Sequence, residues 1–322
     1  MDREIMVSVC MITYNHQRFI RQAIDSVLMQ KVNFKYEIVI SDDCSPDNTQ
    51  DIIQEYAEKY PDIIKTILRK NNIGTVYNSY NVKLLCKGKY IAVLEGDDYW
   101  TDENKLQIQV NFLETHLDCF SVAHRNEIVD INGIHQSYNL NGQKLDRYFK
   151  KEDAMNYKAE LFHPNSIMYK NFFYDSKDKY VIFRDSNKYG SHSLLVFFLA
   201  TMSDIYIMER SMSAWRRVVE PEGTNYASFA ARNPVETDSN LFVMYKNYRD
   251  YFKNEYDFNY VVRERFIICI SRILKSDIEK YNKIKKIKKY FKYLRLNDIL
   301  MLPIVIIQLV IKRITRKYID EK

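Results

Sequence analysis

Four short apolar runs recur in the first 95 residues, and they constrain the fold of this chain more than any other feature. Their composition is typical of buried strands, and they cover Val7–Thr13, Tyr36–Ser41, Ile63–Leu68 and Tyr90–Leu94. Stretches with helical spacing of apolar residues, such as Ile20 to Leu28, separate them. Alternating strands and helices of these lengths predict an α/β domain with a mostly parallel sheet covered by helices on both faces.

Polar residues follow three of these runs. Thr13-Tyr14-Asn15 ends the first, Asp42-Asp43 ends the second, and Glu95-Gly96-Asp97-Asp98 ends the fourth. In a parallel sheet the carboxyl ends of the strands share one edge, and ligands bind in the crevice beyond it. We therefore expect these three segments to converge although they are far apart in the sequence.

The segment Glu95-Gly96-Asp97-Asp98 predicts the chemistry of that edge. Carboxylate oxygens are hard ligands that suit Mg²⁺ or Mn²⁺, and such ions favour phosphate as a further ligand. The pattern therefore indicates an enzyme that acts on a nucleoside diphosphate compound. Nucleotidyltransferases share such carboxylates, but the glycine-rich and basic phosphate loop expected of them is absent after the first strand.

Composition limits the remaining possibilities. With 322 residues, of which 46% are hydrophobic, the chain is expected to form one large domain and an appendage. Its five cysteines are dispersed and lack a C-x-x-C spacing, which argues against a disulfide framework and a zinc site and favours a reducing cytoplasm. The N-terminus shows no secretion signal. We expect no nucleic-acid partner, because the excess positive charge is confined to the C-terminal end.

Together, the motifs Val-Ser-Val-Cys-Met-Ile-Thr-Tyr-Asn, Ile-Ser-Asp-Asp-Cys-Ser-Pro-Asp-Asn-Thr and Leu-Glu-Gly-Asp-Asp-Tyr-Trp resemble those of a family 2 glycosyltransferase of the bacterial surface-polysaccharide type. The resemblance is clear over residues 5–120 and looser over 121–230. It implies a GT-A (Rossmann-like) fold with a nucleotide-sugar half, 1–120, and an acceptor half, 121–230, followed by a helical C-terminal region, 231–322. It also implies inverting transfer from a UDP-type sugar to a hydroxyl of a glycan or lipid-linked acceptor.

The same resemblance implies roles for individual residues. Asp43 would accept a hydrogen bond from the base, with Asp42 beside it in a supporting or ribose role. Asp97 would lie near the ribose and diphosphate and, together with Asp98, would hold Mn²⁺ or Mg²⁺, with Asp98 as the direct ligand. Glu95 fills the preceding acidic position. The other expected nucleotide-binding residues are Thr13, Tyr14, Asn15, Asn72 and Gly74.

The general base is where the chain departs from the family pattern. Serine, Ser191, stands where an aspartate is expected, and it is a poor base unaided. His192, which can titrate near neutrality, and Asp185 are equal candidates to replace it. The alternative is a nucleotide-sugar or glycan-binding protein without catalysis. Farther on, Arg216 or Arg217 is a candidate diphosphate contact, and residues 220–225 are a candidate lid.

The C-terminal end carries most of the positive charge. Residues 283–322 have a net charge of +9 within a total of +6, which leaves −3 on residues 1–282. A basic helix is predicted over Lys283–Arg295, followed by an apolar segment, Ile299–Ile311, that is shorter than the ~20 residues needed to span a bilayer. We expect an interfacial helix on an anionic membrane, at the inner face of the cell membrane. Packing on the protein or in an oligomer is the alternative.

Overall fold

The structure is a computed structural model that describes residues 4–140, 143–150, 162–173, 180–181, 184–185, 191–218, 226–253 and 257–320. At residues 191–194, 197, 226 and 311–320 the description covers the backbone alone. The chain divides into two compact units, Met1–Ser228 and Phe229–Lys322. The sequence predicts a domain boundary after residue 230.

The centre of the first unit is a β-sheet, which has ten strands among the described residues. The strands are β1 Val7–Thr13, β2 Tyr36–Asp42, β3 Ile64–Leu68, β4 Tyr90–Glu95, β5 Tyr99–Trp100, β6 Ser121–Val129, β7 His135–Tyr138, β8 Arg147–Phe149, β9 Met168–Lys170 and β10 Ile205–Arg216. The helices are α1 Ile20–Leu28, α2 Thr49–Lys59, α3 Thr75–Leu85, α4 Lys105–Thr115 and α5 Ser191–Met202, with a 3₁₀ turn at Pro164–Ser166.

The strand order is β3-β2-β1-β4-β9-β6-β10-β5. The first four of these strands run parallel, which confirms the predicted parallel sheet. β9 then pairs antiparallel with both β4 and β6, and β10 runs parallel to β6. Because β9 and β10 come late in the chain, they bring distant residues beside the carboxyl end of β4.

The two faces of β1 bury different side chains. Val7, Val9 and Met11 pack in the same hydrophobic cluster as Ile20 and Ile24 of α1, which explains the helical spacing of those apolar residues. On the other face Ser8 donates a hydrogen bond of 2.5 Å to Glu37 of β2. Both faces of the strand are therefore buried, as is typical of a parallel sheet.

Hydrogen bonds hold the loop after β1 against the loop after β2. The backbone N–H of Asn15 donates to Ser45 Oγ at 2.8 Å, and the N–H of His16 donates to Thr49 Oγ1 at 3.0 Å. Asn15 adopts a left-handed conformation with φ of 61°, which asparagine tolerates better than most residues. These contacts position the loop residues at the edge where the sequence places the site.

The second unit is helical in its described part. After α6 Tyr226–Arg232, which crosses the division, it contains α7 Pro234–Phe252, α8 Asn259–Lys275, α9 Lys280–Phe291 and α10 Leu296–Asp320. The apolar segment 299–311 lies inside α10, which continues through Pro303. The basic residues that follow the apolar segment continue the helix to Asp320.

No single helix among the residues described is long and apolar enough to cross a membrane. One pair of helices, Lys280–Phe291 and the Leu296–Val310 part of α10, meets that criterion only when taken together, and it bends by 114° between them.

Candidate active site

Thr13 occupies the end of β1 and is buried, with 3% of its surface exposed. Its backbone carbonyl accepts a hydrogen bond of 3.0 Å from the N–H of Asp43, which ties the first two strand ends together. Its Oγ1 atom has no hydrogen-bond partner among the described residues. Tyr14 and Asn15 follow and are half-buried. The structure therefore brings these three residues beside Asp43, as the sequence predicted.

Asp42 is fully buried, and its carboxylate binds its own loop. Ser45 donates to it from both its N–H, at 2.8 Å, and its hydroxyl. Gln50 Nε2 adds a bond of 2.6 Å. These contacts fix the turn between β2 and α2, so the geometry favours the supporting role for Asp42 over direct contact with a ribose.

Asp43 links the loop after β2 to the start of α3. Its two carboxylate oxygens accept hydrogen bonds of 2.9 Å from the N–H groups of Ile73 and Gly74. Asn72 is exposed, and its Oδ1 atom also accepts from Gly74 N–H, at 3.0 Å. Gly74 has φ of 87°, a left-handed conformation that glycine adopts without strain. The predicted residues Asp43, Asn72 and Gly74 thus form one connected structure.

Gly96 lies where the loop after β4 approaches β1. Its N–H donates to Ile12 O at 3.0 Å. A Cβ atom at this position would lie 2.8 Å from Thr13 Oγ1 and 3.0 Å from His16 Nδ1, so a larger residue would force these side chains apart. The glycine allows the carboxylate loop and the first-strand loop to meet, and it explains why glycine stands between Glu95 and Asp97.

Asp97 and Asp98 have different surroundings. The side chain of Asp97 is 19% exposed and lies 3.8 Å from His16 Nε2. Asp98 is 1% exposed, and its oxygens accept bonds of 2.9 Å from Asn165 Nδ2 and from the backbone N–H of Arg216. Asp97 is therefore the more accessible carboxylate, and Asp98 is anchored to the second half of the domain.

Asn165 belongs to a buried network of polar side chains. Its Nδ2 atom also donates to Ala214 O at 3.1 Å, and its own backbone O accepts from Trp100 Nε1 at 2.9 Å. Ser213 donates to its Oδ1 atom at 3.0 Å. Such networks hold a group in one orientation when each member is satisfied. This network fixes Asp98 and explains the burial of Trp100 beneath the carboxylate loop.

Glu95, Asp98 and His163 bring one ligand atom each to within 4.8 Å of one another, as a metal site requires. Burial and the neighbouring Asp97 raise the pKa of Glu95 to about 8. Burial, then Asp97 and Glu95, raise the pKa of Asp98 well above its usual value. A divalent cation would relieve this repulsion, so the residues fit a metal. His163 is not among the residues that the sequence predicted for the site, because its approach to Asp98 leaves no signal in the local sequence.

The candidate bases are described only in part. Asp185 accepts hydrogen bonds from Arg184 at 2.7 and 3.0 Å and from Tyr77 OH at 3.3 Å. The hydrogen bonds from Arg184 lower the pKa of Asp185, which makes it a weaker base. The backbone of Ser191 and His192 begins α5, but their side chains lie outside the described residues.

Arg216 does not have the exposure expected of a diphosphate contact. It is 7% exposed, it donates to Asp97 O and Gln22 Oε1, and its guanidinium stacks 4.7 Å from the Phe19 ring centroid. It therefore holds the backbone of the carboxylate loop. Arg217 is exposed. The candidate lid, 220–225, lies outside the described residues.

A sequence model described as Glycosyl transferase family 2 matches residues 8–176. The chain belongs to this family. Among individual proteins, an uncharacterized protein of Mycobacterium tuberculosis is 40% identical over 131 residues, which cover 41% of this chain and 38% of that protein. The minor teichoic acid biosynthesis protein GgaB of Bacillus subtilis is 25% identical over 248 residues, covering 77% of this chain and 27% of GgaB. This family 2 chain thus spans well under half of the length of both relatives.

Structural similarity supports the same fold. The crystal structure of S. aureus TarS 1-349 in complex with UDP superposes with a TM-score of 0.53 at 16% sequence identity, covering 89% of this chain and 71% of that structure. Together with the family match, this likeness confirms the predicted GT-A type of α/β fold, a central sheet flanked by helices with further helices at the C-terminal end.

Proposed function

We propose that this protein is an inverting glycosyltransferase that moves a sugar from a UDP-type nucleotide sugar to a hydroxyl group. The acceptor is a glycan or a lipid-linked glycan in bacterial cell-surface polysaccharide biosynthesis, and the enzyme works in the cytoplasm at the inner face of the membrane. Family membership supports the reaction type. The name of GgaB supports the pathway, and UDP in the TarS crystal supports the nucleotide.

One observation carries the proposal: three strand ends bring the loop around Asp43 and the carboxylate cluster to a single sheet edge. Asp43 N–H binds Thr13 O, and Gly96 N–H binds Ile12 O, so β1 lies between the two halves of the site. The buried Thr13 Oγ1 and His16 Nδ1 atoms have no partner among the described residues, and both lie within 3.0 Å of the Cβ position of Gly96. Unpartnered buried polar atoms at this junction favour a polar ligand.

Recognition of the nucleoside is assigned to Asp43 and its surroundings. Each carboxylate oxygen has two lone pairs, and the N–H groups of Ile73 and Gly74 use one on each. The carboxylate is thereby oriented and can still accept an N–H from uracil. Thr13, Tyr14 and Asn15 supply the adjacent wall, Asn72 and Gly74 shape the opposite side, and Asp42 fixes the loop.

The metal is assigned to the carboxylate cluster. We assign direct contact to Asp97, whose side chain is accessible, and to Asp98, whose orientation Asn165 and the Arg216 N–H fix. Glu95 and His163 complete the set of oxygen and nitrogen ligands. When bound, Mn²⁺ or Mg²⁺ offsets the negative charge that develops on the leaving diphosphate. Burial first, and then repulsion from the neighbouring carboxylates, raise the pKa values of Glu95 and Asp98, and a cation would balance this buried negative charge.

Proton removal is assigned to residues 185–192. In a single displacement the base takes the proton of the acceptor hydroxyl while its oxygen attacks the anomeric carbon, and the configuration inverts. The pairing of Asp185 with Arg184 weakens it as a base, which favours His192. Ser191, next to His192, is assigned a hydrogen bond to the acceptor hydroxyl.

Nucleotide binding tests the proposal in its simplest form. Unfolding of the full chain is followed with UDP, GDP and a panel of UDP- and GDP-sugars, each with and without Mn²⁺. We expect UDP compounds with Mn²⁺ to raise the midpoint temperature, because a ligand that binds only the folded state stabilises it by mass action. A binding protein without catalysis would give the same stabilisation but no release of UDP on any acceptor. If no nucleotide raised the midpoint temperature, both the enzyme and a nucleotide-sugar-binding protein would be contradicted, and only a glycan-binding protein would remain.

A further inference from the structure

One side of α10 exposes a continuous row of apolar side chains. Because successive residues of an α-helix are 100° apart, these side chains fall on a single face of the helix. Three-quarters of the surface of Leu296 and two-thirds of that of Leu300 are exposed. We call it the exposed apolar face, and it consists of Leu296, Ile299, Leu300, Pro303, Ile304, Ile306, Ile307 and Val310. The opposite side of the same helix is buried at Asp298 and Val305. Among the described residues of the second unit, none covers this exposed apolar face.

The preceding helix, α9, carries only positive charge. It has no aspartate or glutamate, and its exposed lysines are Lys280, Lys285, Lys286, Lys288 and Lys289, followed by Lys292 after its end. In the sequence from 280 to 319, Asp298 is the sole acidic residue, and it is buried. The described surface of α9 and of the first fifteen residues of α10 therefore combines apolar side chains with uncompensated lysines.

Asp298 fixes the junction between the two helices. Its carboxylate accepts bonds from Arg249 at 2.5 Å, from Arg263 at 3.0 Å and from Arg295 N–H at 2.9 Å. Burial raises the pKa of Asp298, but these hydrogen bonds outweigh burial and lower it, so the ion cluster is charged at neutral pH. The bend of 114° after α9 is therefore held by buried contacts within the second unit, and α10 presents its apolar face from a fixed position.

We propose that α9 and α10 dock this unit on an anionic lipid bilayer. The exposed apolar face enters the boundary between headgroups and acyl chains, and the lysines of α9 contact lipid phosphates. The apolar face spans fifteen residues, about 22 Å at 1.5 Å per residue, and lies in the membrane plane. A second copy is a poorer occupant, because its equally basic α9 would add like charge. The proposal rests on the membrane location given in the proposed function, but vesicle binding tests it separately from the release of UDP.

Vesicle binding by the full chain tests the proposal. Purified protein is sedimented with vesicles of phosphatidylcholine alone or of phosphatidylcholine with phosphatidylglycerol, at low and at high salt. We expect strong binding to the anionic vesicles, weak binding to the neutral ones, and release by high salt, because surface charges are screened. Binding that resists high salt and alkaline extraction would indicate insertion across the bilayer and would overturn an interfacial position.

Two sets of variants separate the contributions of the apolar face and of the lysines. Leu300→Glu with Ile307→Glu should abolish sedimentation, whereas Leu117→Glu, at a 73% exposed leucine of the first unit, should not. Replacing Lys285, Lys288 and Lys289 by Gln should weaken anionic-vesicle binding by about fivefold per lysine. The matched triple replacement at Lys35, Lys59 and Lys65 should leave it unchanged. Circular dichroism establishes that each variant is folded.

Light scattering after size-exclusion chromatography tests whether a second copy of the chain covers the exposed apolar face instead. A monomer without vesicles, together with the vesicle results above, supports the proposal. A dimer that Leu300→Glu converts to a monomer would assign the apolar face to a second copy and would overturn it. A monomeric protein that binds neither kind of vesicle would overturn it as well.

Discussion

The Nδ1 atom of His163 lies 3.4 Å from Oδ2 of Asp98, although one residue precedes the 3₁₀ turn before β9 and the other follows β4. The imidazole also stacks on Trp215, with ring centroids 4.5 Å apart. β9 pairs with β4, which brings the His163 segment to the carboxylate cluster. The second half of the domain therefore contributes to a site that the sequence assigns to the first half.

Removing the His163 imidazole should weaken binding of the metal. The variant His163→Ala loses a nitrogen ligand or a neighbour that orients Asp98, and we expect metal affinity to fall by about 10- to 100-fold. The change is measured by following the unfolding temperature in the presence of UDP while the concentration of Mn²⁺ is increased. The control, His135→Ala, alters a 46% exposed imidazole of β7 and should bind metal normally. If His163→Ala bound metal as tightly as the control His135→Ala, His163 would not be a part of the metal site.

The stability of the metal-free protein should fall as the pH rises from about 4.5 to about 8. The folded-state pKa of Glu95 is raised from 4.5 to about 8, so between these values the folded protein keeps a proton that the unfolded chain releases. Thermal unfolding without metal measures the slope. Glu95→Gln should make the slope shallower, with Asp98, whose pKa is also raised, accounting for the remainder, and the control Glu58→Gln, at an exposed glutamate, should not change it. Identical slopes in wild type and Glu95→Gln would contradict the assignment.

Asp43→Asn should reduce both stability and nucleotide binding. The new amide group would face the Ile73 or Gly74 N–H, leaving a donor opposite a donor, and we expect a loss of about 1–3 kcal/mol in the free energy of unfolding. Urea unfolding measures the first effect, and calorimetry with UDP at a temperature where the variant is folded measures the second. Asp62→Asn, at an exposed aspartate, is the control. Normal UDP affinity in Asp43→Asn would contradict its proposed contact with the base.

The pH dependence of the rate should identify the general base. If His192 takes the proton, the rate falls below about pH 6.5, and His192→Gln lowers kcat by about 10²- to 10⁴-fold while UDP binding persists. If Asp185 takes it, the lowered pKa of that carboxyl keeps the rate constant to far lower pH, and Asp185→Asn produces the loss. Steady-state rates for these two variants and for Ser191→Ala distinguish the cases. Full activity in all three variants would show that the general base does not lie in residues 185–192.

The first four strands along the chain were predictable because strands buried in a parallel sheet consist largely of apolar residues. β1, β2, β3 and β4 lie within about one residue of the apolar runs that predicted them. Their polar ends were predictable for the same reason, since a parallel sheet places them at one edge whatever the rest of the chain does. The pairing of Asp43 with Thr13 follows directly from that topology.

The later part of the site was not predictable, because it depends on partners chosen across long sequence separations. Nothing local to Asn165 indicates that its amide binds Asp98, or that Ser213 and Trp100 share its network. The strand Tyr99–Trp100 has only two residues, which is too few to show the alternating apolar pattern that predicts a strand. Antiparallel pairing of β9 with β4 brings the Asn165 segment to Asp98, and pairing of β10 with β5 and β6 brings Ser213 beside Trp100.

The most direct test of the account is the release of UDP from a panel of UDP-sugars by the full chain, with and without Mn²⁺, in wild type, Asp97→Asn and the control Asp62→Asn. We predict Mn²⁺-dependent release by wild type and by the control, and a loss of about 10²-fold or more in Asp97→Asn, because the leaving diphosphate loses its charge compensation. Release that is equal in Asp97→Asn, or no release from any UDP-sugar by wild type, would contradict a metal-dependent sugar-transfer site at this sheet edge.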